Sequence, residues 1–550
     1  MNIEQYIKQV LKESLSKLDY FDPTRVDIKI EQPKQEEHGD YSTNVAMLMP
    51  AFAKKAPRLI AEEVISLLEL DNQIIDKVEI AGPGFINFFL GWGFYRQAVL
   101  EIINQNENFG KSDGGEGLKI QVEFVSANPT GPLNVVSARA AAVGDVLVNL
   151  FNSVGYNAQR EYYINDAGRQ VRLLGKSVSS HYMKIFGLDE ELPEEGYHGD
   201  YIKNLAEDIA EQKGDVYTKL TASKRHEQLS QLALQKMIYN SREIMKEYGV
   251  NYECWFQESQ LREAKEDQKI LDYLKKKNLS YKKDGATWFK SAQFGDEKDR
   301  VLVTGDGEPT YFLIDIAYHK NKYDRGFKVL YDLWGPDHHG YVPRMKAAIE
   351  ALGYARESFG VEIIQQVNLL RGGEVIKMSK RAGKIIEMKE VVDEVGVDAA
   401  RFFFVNRKVS SHLDFDIDLA KKQSEENPVY YLQYAHARIC SILKFAEEKG
   451  IDLSKNANLD LLDKPEEKDL IKGLIQFPKI LIKAAESLEP HLLTHYLKDV
   501  AALFHHFYHF HRVVSDDMPL SQTRLTLVKA TRIVLATGFK ILGISAPERM

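Results

Sequence analysis

Cysteine is scarce. Cys254 and Cys440 are the only two in 550 residues, too few and too distant for a disulfide framework or a zinc motif. Long apolar runs are missing too: no stretch of about 18 consecutive apolar residues is there to span a bilayer. The opening MNIEQYIKQVLKESL is an amphipathic helix carrying Glu4 and Glu13, without a signal peptide's apolar core. These absences predict a cytoplasmic protein with no membrane partner. Bulk positive charge is also lacking. Lysine and arginine number 72 against 80 acidic residues, a net charge of −8, so a nucleic acid would have to be met by local basic patches. What is present, 44% hydrophobic and 28% charged residues, suits a globular chain of three or four domains.

The chain is organised around residues 119–151. Ile120, Val122 and Phe124 alternate with Lys119, Gln121 and Glu123, the period of a strand. Ser126, Asn128, Pro129, Thr130, Gly131 and Pro132 then force a turn. Val136, Ala140, Val143, Leu147 and Leu150 follow at helical spacing, and QREYYI (159–164) reads as a second strand. Strand, turn, helix, strand is a βαβ unit and implies a parallel sheet. Ligands of such sheets sit beyond the strands' carboxyl ends, where a helix start offers free N–H groups to phosphate.

Residues 1–110 form a separate α/β unit, with helices at 2–17 and 57–70 and strands at 26–33 and 77–90. Between these lies HGDYSTNVAM, a polar stretch suited to a surface contact; the alternative is a helix start capped by Ser42 or Asn44. KSDGGEG (111–117) is a linker. A nucleotide-binding domain spans 118–390. Asn165 and Asp166 end its second strand, as functional groups or as a helix cap. Residues 176–290, with charged helices at 202–212 and 222–248, interrupt it as a helical insertion. The sheet resumes near 299, continuing through 328–334 and 361–369, which predicts a doubly wound α/β fold. Residues 391–550 carry the apolar stripes of a helical bundle. The histidines at 505, 506, 509 and 511 share a helix with Phe504, Phe507, Tyr508 and Phe510, so they read as a packing face and predict no metal site.

VEFVSANPTGPL followed by a helix opening resembles the first signature region of arginyl-tRNA synthetases, a class I aminoacyl-tRNA synthetase family. The likeness extends over nearly the whole chain, to the ISAPERM terminus. Lys377-Met378-Ser379-Lys380 matches the family's Lys-Met-Ser-Lys loop. Glycines 372, 373 and 383 make that loop a mobile cationic flap, although Ala382 stands where Thr is usual. The resemblance implies ATP with Mg²⁺ as transient co-substrate, L-arginine and tRNA(Arg) as partners, no protein-bound metal, and a monomer. It assigns Glu123 and Asn128 to the amino and carboxylate ends of arginine, and Tyr311 and Asp315 to its side chain. A guanidinium wants carboxylates in fork geometry beside an aromatic wall. It places Arg139, Trp334, Gly335, Asp337 and His338 around the nucleotide, with Met378 and Ser379. His38, Asp40, Tyr41 and Asn44 would touch the tRNA elbow, and Tyr434 and Arg438 its anticodon arm.

One place departs from the family. Its next residues are a His-Ile/Val-Gly-His tetrad; here stand Asn134, Val135, Val136 and Ser137. Asn134 and Ser137 can donate neutral hydrogen bonds but cannot carry a histidine's charge. Val136 sets a stiff branched group where the family's glycine lets adenine lie on bare backbone. The expectation is an arginine–tRNA ligase whose adenylation, served by Lys377, Lys380, Asn134 and Ser137, is impaired. The alternatives are an inactive paralogue that binds tRNA or arginine in a regulatory or resistance role, and a substitution introduced to inactivate the enzyme.

Overall fold

The computed structural model describes residues 3–33, 35–376, 386–452 and 457–550. Its centre is a five-stranded sheet built from β1 (Lys119–Glu123), β2 (Asn157–Ile164), β3 (Cys254–Gln257), β4 (Val329–Trp334) and β5 (Phe359–Ile363). The spatial order is β5-β4-β1-β2-β3, every pair parallel. β1 is the middle strand and is covered on both faces, so Gln121 and Glu123 are buried along with Val122.

The signature helix, Val135–Ser153, follows β1. It packs so closely that a Cβ on Gly144 would come within 2.2 Å of the Phe124 ring, so only glycine allows that approach. This helix is long and apolar enough to cross a membrane, with mean hydropathy 1.2, yet 83% of it is buried inside the protein. Arg139, Asp145 and Asn149 interrupt its apolar run. In the fold these polar groups find internal partners.

Several segments differ from expectation. Residues 26–33 form no strand; only a bridge from Glu31 to Ser42 remains. The stretch 77–90 is a hairpin, Ile75–Ala81 and Phe85–Leu90, turned at Gly82 and Gly84 with positive φ, and Tyr41–Thr43 pairs with its second arm. The stretch 361–369 is likewise two strands, β5 and Val367–Arg371. Arg300–Val303 does not resume the main sheet but joins a small antiparallel one with Ser280–Lys283 and Ala286–Phe289. β3, inside the expected insertion, belongs to the main sheet. Short apolar runs carry no partner information, which is why these assignments moved.

The charged helices Asp200–Lys213 and Ala222–Glu247 pack with Arg169–Ile185 around their own small core. The C-terminal helices Pro428–Glu448, Pro465–Leu474, Phe477–Glu486, His491–Phe510 and Met518–Leu542 form the bundle. Arg401, fully buried, ties it to the signature helix. Its guanidinium donates to Asp145, to Tyr248 O (3.1 Å) and to Leu542 O (3.0 Å).

Candidate active site

The chain moves from β1 to β2 and β3 on one side and from β4 to β5 on the other, so strand order reverses between β1 and β4. Ligands of doubly wound sheets lie at such a point. Glu123 and Asp332 are register partners there. Beyond Glu123 the backbone takes Val125 to φ 70° and Ser126 to φ 38°, a left-handed conformation that a β-branched residue rarely adopts and that costs about 1–3 kcal/mol. Neighbours over-determine it. Ser126 Oγ donates to Glu123 Oε1 (2.7 Å) and accepts from Tyr163 N (3.1 Å). The Tyr162 hydroxyl holds Ala127 N and O, and Tyr252 donates to Phe124 O (3.2 Å). Glu123 is buried at the strand's end, and Asn128, beyond the strained turn, is exposed.

Helix Tyr311–Asp324, capped by Thr310, carries Tyr311 and Asp315. Asp315 accepts the Tyr341 hydroxyl at 2.5 Å and has no ion-pair partner among the described residues. Burial, with the fields of Glu123 and Glu258, pushes its carboxyl up to about 6, against the Tyr341 bond and His319. Glu258 itself accepts from Tyr163 (2.9 Å) and Arg262 (2.8 Å). Tyr311, 69% exposed, stands at the mouth. A half-buried carboxylate with no ion-pair partner among the described residues, on the same helix as an exposed aromatic ring four residues away, is chemically suited to a planar cation.

On the nucleotide side, Asn134 is the N-cap of the signature helix. Its Oδ1 accepts from Val136 N (2.9 Å) and Ser137 N (3.1 Å). Val136 is half-buried and Ser137 buried. Gly335, Asp337 and His338 follow β4, the last two exposed, with His338 6.1 Å from the Trp334 ring. Arg139 corrects the expectation. It is fully buried, and its guanidinium donates to Gln365 O (2.9 Å), Ser411 O (2.9 Å) and Lys408 O (3.0 Å), so it braces the bundle junction and faces no nucleotide. Lys377, Met378, Ser379 and Lys380 lie outside the described residues. The segment after them is anchored at the helix start: Glu387 bridges Asn134, and Met388 N donates to Leu133 O (2.7 Å).

The N-terminal contact residues separate. His38 is exposed. Asp40 is taken up internally, accepting from Leu90 N (2.8 Å) and Tyr95 (3.0 Å) and pairing with Lys472 of the bundle (2.8 Å). Tyr41 is 3% exposed, which corrects it from surface contact to packing. Neither Ser42 nor Asn44 caps the helix: Ser42 donates to Asn87, Asn44 makes no cap bond, and Thr43 Oγ1 takes the Val45 N–H. Asp166 holds Ser259 N (2.9 Å) and Oγ (2.6 Å), a structural tie to the segment after β3. In the bundle, Tyr434 is 36% exposed. Arg438 stacks 5.1 Å over Tyr508 beside a cavity of about 670 Å³ that Phe445 and Phe510 also line. His505 packs against Tyr431 and Tyr434. Sequence reasoning missed Lys322, Asp332, Glu258 and Tyr341. The spacing of Asp315, His319 and Lys322 at i, i+4 and i+7 was the available signal.

A doubly wound parallel sheet with a helix start at the switch point and an appended helical bundle is the architecture of a class I aminoacyl-tRNA synthetase. Family profiles agree: "Arginyl tRNA synthetase N terminal domain" matches residues 3–90, "tRNA synthetases class I (R), catalytic domain" matches 98–414, and "DALR anticodon binding domain" matches 432–550. The chain is 46% identical over 556 residues to an arginine–tRNA ligase of Bacillus licheniformis, covering 100% of both. It is 47% identical over 525 residues to one of Listeria monocytogenes serotype 4a, covering 95% of this chain and 94% of that one. The Thermus thermophilus arginyl-tRNA synthetase structure shares the fold, with TM-score 0.75 at 21% identity and 100% coverage of both chains. The chain belongs to the arginyl-tRNA synthetase family.

Proposed function

We propose that this chain joins L-arginine to tRNA(Arg) using ATP and Mg²⁺, and that its activation step is slower than in a protein carrying the family tetrad. Arginine's carboxylate oxygen attacks the α-phosphorus, and pyrophosphate leaves. The terminal ribose hydroxyl of the tRNA then takes the arginyl group, and AMP leaves. The observation that carries the arginine assignment is Asp315, a carboxyl with a raised proton affinity that feels the charge of Glu123 and has no ion-pair partner among the described residues. Glu123 and Asn128 would take the substrate's ammonium and carboxylate, and Tyr311 and Asp315 its guanidinium.

The slowed step follows from the helix start. Asn134 uses its own amide oxygen on two N–H groups that a phosphate would otherwise meet. Val136 adds two methyl groups at the adenine position. Losing one such donor costs about 3 kcal/mol of transition-state stabilisation, and two losses with a steric block amount to several powers of ten. Lys377, Lys380 and exposed His338 are the remaining positive or donor groups for the triphosphate. The test is tRNA-dependent pyrophosphate exchange with arginine by the native chain and by Asn134→His/Val136→Gly/Ser137→His. The triple variant should exchange at least tenfold faster; equal rates would remove the slowed-step reading. Absence of arginylation by both proteins would remove the ligase reading itself.

A further inference from the structure

We propose that Lys322 is a positioning residue for arginine: from beneath the crevice it holds the Glu123 carboxylate charged and aimed at the substrate's ammonium group. This rests on the ligase reading above. Lys322 is 0% exposed, and its Nζ donates to Glu123 Oε2 (2.6 Å) and Asp332 Oδ1 (2.9 Å). Asp332 Oδ2 meets His319 Nε2 at 2.9 Å, and His319 Nδ1 meets Asp315 O at 2.7 Å. Glu123 alone of this set reaches the crevice, with 10% of its side chain exposed.

Two groups able to carry positive charge, Lys322 and His319, stand against three carboxyl groups, those of Glu123, Asp332 and, on the same helix, Asp315. An interior assembly short of positive charge is costly unless a cation arrives. A purely structural ion pair needs only Lys322 and Asp332, which already satisfy each other. The second carboxylate is intelligible as the end that faces the ligand. Its geometry is fixed from both sides, by Ser126 Oγ on Oε1 and by Lys322 on Oε2. Burial pushes the Glu123 carboxyl up and Asp332 adds to this, while Lys322 opposes both. The net direction is upward even with Lys322 in place; without Lys322 it would move further up, so the charged form that holds an ammonium would be disfavoured.

The experiment measures arginine binding by calorimetry at pH 7.0 and 8.5 for the full chain and for K322M, E123Q and K322M/E123Q. At pH 7.0 K322M should bind about tenfold to a hundredfold more weakly than the native chain, the loss expected for one charge-assisted contact. Raising the pH favours the charged form of Glu123, so the ratio of native to K322M affinity should be smaller at pH 8.5 than at pH 7.0; E123Q should show no such recovery. The double variant should bind like E123Q, since Lys322 acts only through Glu123. Native-like binding by K322M, a deficit unchanged by pH, or a double variant weaker than E123Q would each overturn the proposal. If K322M does not fold, the comparison of E123Q with the double variant, which leaves no unpaired Glu123 charge, decides. A native chain that binds no arginine refutes both this inference and the functional reading; native binding with an unaffected K322M refutes the inference alone.

Discussion

Replacing Asp315 by asparagine should stabilise the free protein and cripple its arginine site. The carboxyl stands at about 6 instead of 3.8 because burial and two neighbouring carboxylates oppose its charge. The sign follows from linkage. A raised folded-state value means that the folded form holds the proton more tightly between those two pH values. Stability therefore falls as pH rises through that window, and it stays reduced at pH 7. The full displacement corresponds to about 3 kcal/mol; Asp315 keeps some solvent access, so about 1–2 kcal/mol is the working figure. Asparagine has nearly the same shape, can still accept from Tyr341 and carries no charge. D315N should therefore unfold at higher denaturant concentration than the native chain when arginine is absent. Its arginine affinity should fall on the order of a hundredfold, since a guanidinium would be buried without its counter-charge. Urea unfolding with and without saturating arginine measures both effects: the native chain gains stability from the ligand and D315N does not. An unchanged or lower midpoint for ligand-free D315N would refute the electrostatic reasoning. Unchanged arginine affinity would refute the placement of the guanidinium.

Two further outcomes are expected. Arginine binding to the native chain should weaken about tenfold between pH 7 and pH 5, because the ionised fraction of a group near 6 drops from roughly nine-tenths to one-tenth; calorimetry should also show proton release on binding near pH 6, and a flat profile would contradict it. Arg401→Met should cost about 3 kcal/mol, the lower end for breaking a buried pair, because Arg160 still holds Asp145 at 2.7 Å. Unfolding of R401M against R401M/Asp145→Asn checks this, and the double variant should not be worse.

Where a long periodic segment met a turn signal, the sequence alone placed structure well. The signature helix, β1 and β2 lie where periodicity put them, and helices dominate 391–550 as expected, apart from the strand Leu413–Asp416, which pairs with Val367–Arg371. Short apolar runs behaved differently. Arg300–Val303 and β3 are four residues each, and nothing in either string says which sheet it will join. The site divided in the same way. Glu123 was singled out by its place before the signature turn, and Asp315 by the family resemblance. Lys322 was not, since a lysine near a helix end is ordinarily a solvated one. Only the fold brings it under Glu123. Arg139 failed for the opposite reason: an arginine beside a phosphate signature invites a ligand role, and the carbonyls that occupy it come from residues 365, 408 and 411, far away in sequence.

The tetrad region joins these two kinds of information. From composition, His-to-Asn at 134 reads as the loss of a cation with one donor retained. In the folded chain the asparagine becomes an N-cap, a role among the commonest for that residue and stabilising by about 1 kcal/mol. A cap and a phosphate compete for the same N–H groups, so on the proposed reading the contact that stabilises the helix start would also oppose a ligand there. Reversion to histidine should therefore move two quantities in opposite directions, exchange rate upward and helix stability downward. A protein in which both rose together would show that Asn134 is not acting through its cap.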